Sequence, residues 1–231
     1  MNIGFDIISD LWLDDISQFN WEGKPTSLYC IISGNITSDL GLLHKIFLHL
    51  SKCYQGIFYI DGTLEHTLLR DKQSVINEIS AICTSIPNVV FLHNNVVVIE
   101  GIAIVGLNGW NEYDALTDEE KFQVKVNRYD DLLYLDKTIE KLQLHIDVKK
   151  IVITSNSVPN TELYFGEQPE SLKNEVDLDN ILSNDTEQKI THWVFGSHKK
   201  IVDTNKNGIN YLNNPMYDSN PYYAKRIDIL Y

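Results

Sequence analysis

Apolar residues recur along this chain with two different periods. Short continuous runs at residues 5–8, 28–33 and 56–60 are bounded by Gly, Asn and Asp, and runs of that length read as buried strands. Between them Leu40, Leu43, Ile46, Phe47 and Leu50 return at helical spacing, as do Val75, Ile76, Ile79, Ile82 and Cys83 within residues 68–85. Strand and helix alternating in this way predict a layered α/β fold. Three further short runs, 89–92, 96–99 and 102–105, predict a meander. From 117 to 144 charge rises while Leu132, Leu133, Leu135, Ile139 and Leu142 recur, which predicts one or two surface helices. Strands follow at 151–154 and 191–195, with a short helix at 177–182. The tail alternates strand-like runs around Ile201, Ile209 and 227–230. Residues 160–176, polar and holding Gly166 and Pro169, predict a flap or loop insertion.

Composition narrows the picture. A chain of 231 residues, 43% hydrophobic, buries a full core and suits one domain over 1–231. A net charge of -13, spread along the chain, favours solubility and disfavours nucleic acid or an anionic membrane as partner. Cys30, Cys53 and Cys83 stand far apart, as reduced core thiols of a cytoplasmic protein would. The amino terminus holds Asp6, Asp10, Asp14 and Asp15 and lacks the pattern of a secretory signal. The most apolar stretch, 95–106, is too short to span a bilayer and is broken by Glu100. Abundant Asn and Ile with scarce Ala and Arg suggest an AT-rich genome such as that of many phages.

The strand ends carry the chemistry, as they do in open α/β sheets. The sequences there are Ser9-Asp10-Leu11-Trp12, Gly34-Asn35, Gly62-Thr63-Leu64-Glu65, Thr154-Ser155-Asn156 and Phe195-Gly196-Ser197-His198-Lys199. In order and flanks they resemble the five blocks of the calcineurin-like metallophosphoesterase family. Two further segments, Gly106 to Trp110 and Asn214-Pro215, resemble its Gly-x-x-x-Trp and late Asn-Pro turns. The resemblance implies a four-layer αββα sandwich of two mixed sheets with helices outside. It also implies a centre for two metal ions, whose ligands must be oxygens and imidazoles.

Most of those ligands are replaced. Asp10 is kept, but the first-block His is Trp12, the bridging Asp is Asn35 and the Asn ligand is Thr63. Leu64 stands for the general acid, Ser155 for the next His, and Ser197 and Lys199 for the last two. Losing even an outer partner of a ligand typically costs about 10 to 100-fold in affinity or activity, so the resemblance implies a pseudoenzyme without a cofactor, acting as a protein-binding or adaptor module. The expected surface holds Trp12, Trp110, Tyr113, Tyr217, Tyr222 and Tyr223. Trp12 either marks a recognition surface or plugs the emptied cleft, and Lys199 is expected to pair with Asp10 where metal charge would stand. Asp6 reads as a hydrogen-bonded structural carboxylate.

Two other readings stay open. One is a surviving phosphoesterase with a rebuilt site drawing on Asp10, Asp61, Glu65, His66 or His198 and a divalent metal such as manganese. The other is a protein that binds a small phosphate-containing ligand through Lys199 without cleaving it.

Overall fold

The computed structural model describes residues 2–66, 71–110, 117–159, 161–163, 178–216 and 221–231. In chain order its elements are β1 Asn2–Ile8, β2 Tyr29–Ser33, α1 Leu40–Leu50, β3 Gly56–Ile60, α2 Lys72–Thr84 and β4 Val89–Phe91. There follow β5 Asn95–Ile99, β6 Ile102–Leu107, α3 Asp118–Leu144, β7 Lys150–Ser155, α4 Leu178–Ser183 and β8 Ile190–Phe195. The tail gives β9 Asp203–Lys206, β10 Ile209–Leu212 and β11 Lys225–Leu230. One sheet has the order β11-β1-β2-β3-β4 and the other β5-β6-β7-β8-β10-β9. Both are mixed: β1–β2–β3–β4 and β6–β7–β8–β10 run parallel, while β11, β5 and β9 join antiparallel at the edges.

Strand parity sorts the apolar residues into three cores. Ile3, Phe5, Ile7, Ile31, Phe58 and Ile60 of the first sheet meet Ile102, Ile104, Val152, Val194 and Leu212 of the second. The alternate residues of the first sheet, Cys30, Ile32, Ile57 and Tyr59, pack under α1 and α2. Those of the second, Ala103, Val105, Ile151, Ile153, Trp193 and Phe195, pack under α3 and α4. Two sheets face to face with helices outside give the expected αββα sandwich.

Helix starts follow from their caps. Asp39 accepts from Gly41 N and Leu42 N, Asp71 accepts from Ser74 N, and Thr117 with Glu120 forms a capping box. The Asp71 cap sets the described start of α2 at Lys72, four residues into the expected span, and 67–70 lie outside the described residues. Residues 118–144 form one helix of 27 residues. The strand expected around Ile201 starts instead at Asp203; Val202 N is tied to Asn213 Oδ1 and Ile201 is exposed. Of the expected flap only the 3-10 turn Thr161–Leu163 is described, so that expectation lies outside the described residues.

Asp6 lies on the helix-facing side of β1, fully buried, and accepts from Thr26 N at 2.7 Å, Thr26 Oγ1 and Tyr54 Oη at 2.8 Å. Tyr54 in turn accepts from Trp21 Nε1 at 2.9 Å. This network fastens the 19–27 loop across the sheet, the structural role expected of Asp6.

Candidate functional site

The carboxyl ends of β1, β2, β3, β7 and β8 meet at one edge, and each chain turns sharply there. Asp10, Asn35 and Ser197 all hold left-handed backbone, with φ of 51°, 56° and 55°. That conformation costs a non-glycine residue roughly 1–2 kcal/mol, and the surroundings must impose it. Gly62 is required for a different reason: a Cβ there would stand 2.3 Å from Asn35 N.

Most polar groups at this edge satisfy one another, but Asp10 Oδ2 is buried with no hydrogen-bond partner among the described residues. Leu64 N donates to Asn35 Oδ1 at 3.0 Å, which fixes the orientation of the amide. Asn35 Nδ2 therefore points at Asp10 Oδ1, 2.8 Å away, and at Ser197 Oγ, 3.1 Å away. Ser197 N is a second donor to Asp10 Oδ1 at 2.9 Å. Burial pushes the Asp10 carboxyl up to about 7, against the lowering effect of these bonds. Glu65, fully buried, accepts from Gly62 N and Ile36 N at 2.7 Å and from Asn35 N at 3.2 Å. It staples the end of β2 to the end of β3.

Other expected site residues lie elsewhere. Ser155 follows Ile151 and Ile153 in parity, so its hydroxyl turns away from the cleft to accept from Trp193 Nε1 at 2.9 Å and donate to Ser157 O at 2.7 Å. The next residue, Asn156, which motif matching missed, takes its place. A Cβ on Gly34 or Gly62 would stand 2.6 or 2.8 Å from Asn156 Oδ1, so the amide lies against both loops. It is fully buried, and neither its oxygen nor its nitrogen has a hydrogen-bond partner among the described residues. Thr63 Oγ1 reaches Asn35 Oδ1 only at 3.5 Å. Lys199 is exposed, and the hydrogen bonds to buried Asp10 come from Asn35 and Ser197, not from an ammonium as expected. His198 is buried with Nδ1 2.8 Å from Lys200 O, in its own turn.

Trp12, also left-handed at φ 51°, does not plug the cleft: it is 54% exposed. It borders a groove of about 770 Å³ lined also by Phe19, Trp21, Lys24, Met216 and Tyr222. Tyr223 is 60% exposed, with the Lys24 ammonium 5.3 Å from its ring centre. Trp110 and Tyr222 are buried and are not surface residues; Tyr222 Oη donates to Asn214 O at 2.6 Å. Tyr113 and Tyr217 lie outside the described residues.

A second polar cluster sits beside the first. Asp61, fully buried, meets His66 Nε2 at 2.6 Å and His93 Nδ1 at 3.0 Å. Burial alone would raise its pKa, but the charge of His93 and hydrogen bonds from both rings outweigh it and hold the carboxyl well below the usual carboxylate range. For His93 burial opposes the charged ring, but Asp61 raises it above the ordinary histidine value. His93 follows β4 in no recognisable block, so only the fold reveals it. Lys72 Nζ lies 4.4 Å from the centre of the Trp110 ring, which in turn packs edge-on against His66.

These residues do not fit a dinuclear metal centre. The carboxylate that would bind a cation receives two donors on Oδ1, and the position that should bridge two cations presents an NH₂ group to it. Among the described residues no three His, Cys, Asp or Glu side chains are arranged to hold a metal ion.

No family model and no curated protein matches the chain. Solved structures do. The phosphopantetheinyl hydrolase of Mycobacterium tuberculosis is similar with a TM-score of 0.61 over 93% of this chain and 89% of that one, at 13% identity. A putative 5'-nucleotidase from Staphylococcus aureus gives a TM-score of 0.58 at 12% identity, and this chain, covered in full, spans 51% of it. The chain has a metallophosphoesterase-like fold. GAP50, the anchor in the inner membrane complex of Plasmodium, is also similar, with a TM-score of 0.53 and 9% identity over 94% of this chain and 72% of that one. Identities this low carry the fold and nothing more, so function rests on this chain's own residues.

Proposed function

We propose that this protein is a pseudoenzyme, a binding or adaptor module on a metallophosphoesterase-like scaffold with protein as its partner class. One observation carries the reading: the Asn35 amide donates to Asp10 and Ser197, so the heart of the cleft is closed by internal hydrogen bonds. The amides at the strand ends are likewise engaged by Glu65, Asn35 and Asp10, which leaves them poorly placed to cradle a phosphoryl group. The partner surface lies around exposed Trp12 and Tyr223, since aromatic side chains of this kind dominate interface energetics. The free thiols Cys30, Cys53 and Cys83 suit the cytoplasm, and no described helix is long and apolar enough to cross a membrane.

The contact between Asp61 and His66, joined by His93, favours a rebuilt acid–base site as the second reading. Metal analysis after incubation with manganese, alongside hydrolysis of a generic phosphodiester, separates the two. The expected result is neither stoichiometric metal nor turnover. About two metals per chain, as a two-metal site requires, with turnover abolished by Asp10→Ala, would overturn the pseudoenzyme. Metal-independent turnover lost in His66→Gln would establish the rebuilt site.

A further inference from the structure

The groove beside Trp12 has a polar wall built of donors. Gln18 Oε1 accepts from Asp14 N at 2.8 Å and from Asp15 N at 3.2 Å, and Asn20 Oδ1 accepts from Glu22 N at 3.1 Å. These bonds orient both amides, and the group each has to spare is its NH₂. Lys24 adds an ammonium with three donors and no acceptor. Its turn, closed by Lys24 N on Trp21 O at 3.2 Å with left-handed Gly23 at φ 72°, brings the side chain back over the loop. The ammonium lies 5.7 Å from the centre of the Trp21 ring and 5.3 Å from that of Tyr223. Ring faces attract a cation but leave its N–H groups for an acceptor, and among the described residues it meets none. No carboxylate lines the groove among the described residues, although the chain holds 32 acids against 19 bases. The neighbouring Asp15 is turned back onto Ser17 N at 2.7 Å. The apolar part of the lining is Trp12, Met216 and Tyr222. Trp12 N donates to Asn35 O at 3.1 Å and Leu13 N to Ile36 O at 2.8 Å, so the exposed indole stands on fixed main chain.

We propose that this groove takes an acidic peptide segment of the partner protein. An Asp or Glu carboxylate sits on Lys24, main-chain carbonyls meet the Gln18 and Asn20 amides, and a large apolar side chain packs on Trp12. This rests on the binding-module reading and adds the partner's chemistry to it. Polarity selects the occupant: the spare groups of Gln18, Asn20 and Lys24 all donate, and a carboxylate with its flanking carbonyls accepts. At about 770 Å³ the groove has the size of a ligand pocket. A polyanion such as nucleic acid brings many charges against a chain of net charge -13. A single carboxylate does not, because at physiological salt charges beyond about 8 Å are screened and Lys24 is the near one.

An array of random end-blocked octapeptides, probed with the labelled full chain at physiological salt, tests this. The bound peptides are expected to be enriched in Asp or Glu beside an aromatic or large aliphatic residue. Lys24→Glu is expected to turn that preference towards basic peptides, and Lys24→Arg to keep it. In solution, by fluorescence anisotropy of the strongest acidic peptide, Lys24→Met is expected to raise the dissociation constant about 5-fold, the scale of a surface ion pair. Trp12→Ala is expected to raise it at least ~10-fold, with melting temperatures unchanged in both. Peptides bound without acidic preference, or a preference unmoved by Lys24→Glu, overturn this proposal and leave a binding module standing. No bound peptide also overturns it, as does a Trp12-dependent doubling of the chain's mass or Trp12-dependent binding of a single-stranded oligonucleotide. The manganese and phosphodiester measurements decide the pseudoenzyme separately.

Discussion

Asp10→Asn is expected to stabilise the protein above pH 7. The carboxyl titrates at 3.8 when unhindered and at about 7 in the fold, because burial disfavours its charged form. The folded-state value is the higher one, so between 3.8 and about 7 the native state holds a proton that the unfolded chain has released. Stability therefore falls as pH rises through this window. At about 1.4 kcal/mol per pH unit the total is on the order of 4 kcal/mol. Asparagine keeps the Oδ1 acceptor for Asn35 and Ser197, removes the charge, and is better suited to left-handed backbone. Urea melts of both proteins across the acid and neutral range should show the variant ahead above pH 7, with its slope through the window largely gone. A variant less stable than the parent above pH 7 would mean that the carboxylate is needed charged, as a metal ligand is.

Glu65→Ala is expected to have the opposite sign and a comparable size. Its carboxylate is the common acceptor for Gly62 N, Ile36 N and Asn35 N in a fully buried setting. Each stranded donor costs about 1–3 kcal/mol, so the loss should be at least about 3 kcal/mol, a large part of the 5–15 kcal/mol typical of a domain. The resulting protein should melt early or express insoluble. Glu65→Gln, which keeps one acceptor oxygen, should fall between the two. A loss below about 1 kcal/mol in Glu65→Ala would show that the loops are held by something other than this carboxylate.

Glu65 also illustrates what the sequence discloses. The block Gly62-Thr63-Leu64-Glu65 was recognisable as a strand-end turn, and with four others it announced the two-sheet sandwich. Its role was not legible, because whether a carboxylate faces a ligand or backbone amides depends on a partner loop 30 residues away. Ser155 was partly legible: Ile151 and Ile153 set a parity that turns it from the cleft, a signal masked by matching the block as a unit. His93 and Asn156 sit at turns where no periodicity operates, so only the closing of the sheets brings them to the edge. Trp110 and Tyr222 show the limit of reading aromatics at loop bases as surface, since burial is decided by neighbours distant in the chain. In α3 two apolar faces overlay one another and dilute the helical period, which is why the sequence left one helix or two open.

The hydrogen bonds joining Asp10, Asn35, Ser197 and Glu65 carry one further consequence. A protein whose loops are organised by bound ions owes part of its folding free energy to the concentration of those ions. Here the loops are tied by groups that travel with the chain. Its melting temperature should be the same in a chelator as in excess manganese. On the pseudoenzyme reading, the scaffold would mature and persist wherever metal is scarce, withheld or contested, with no ion to acquire before it is ready to bind.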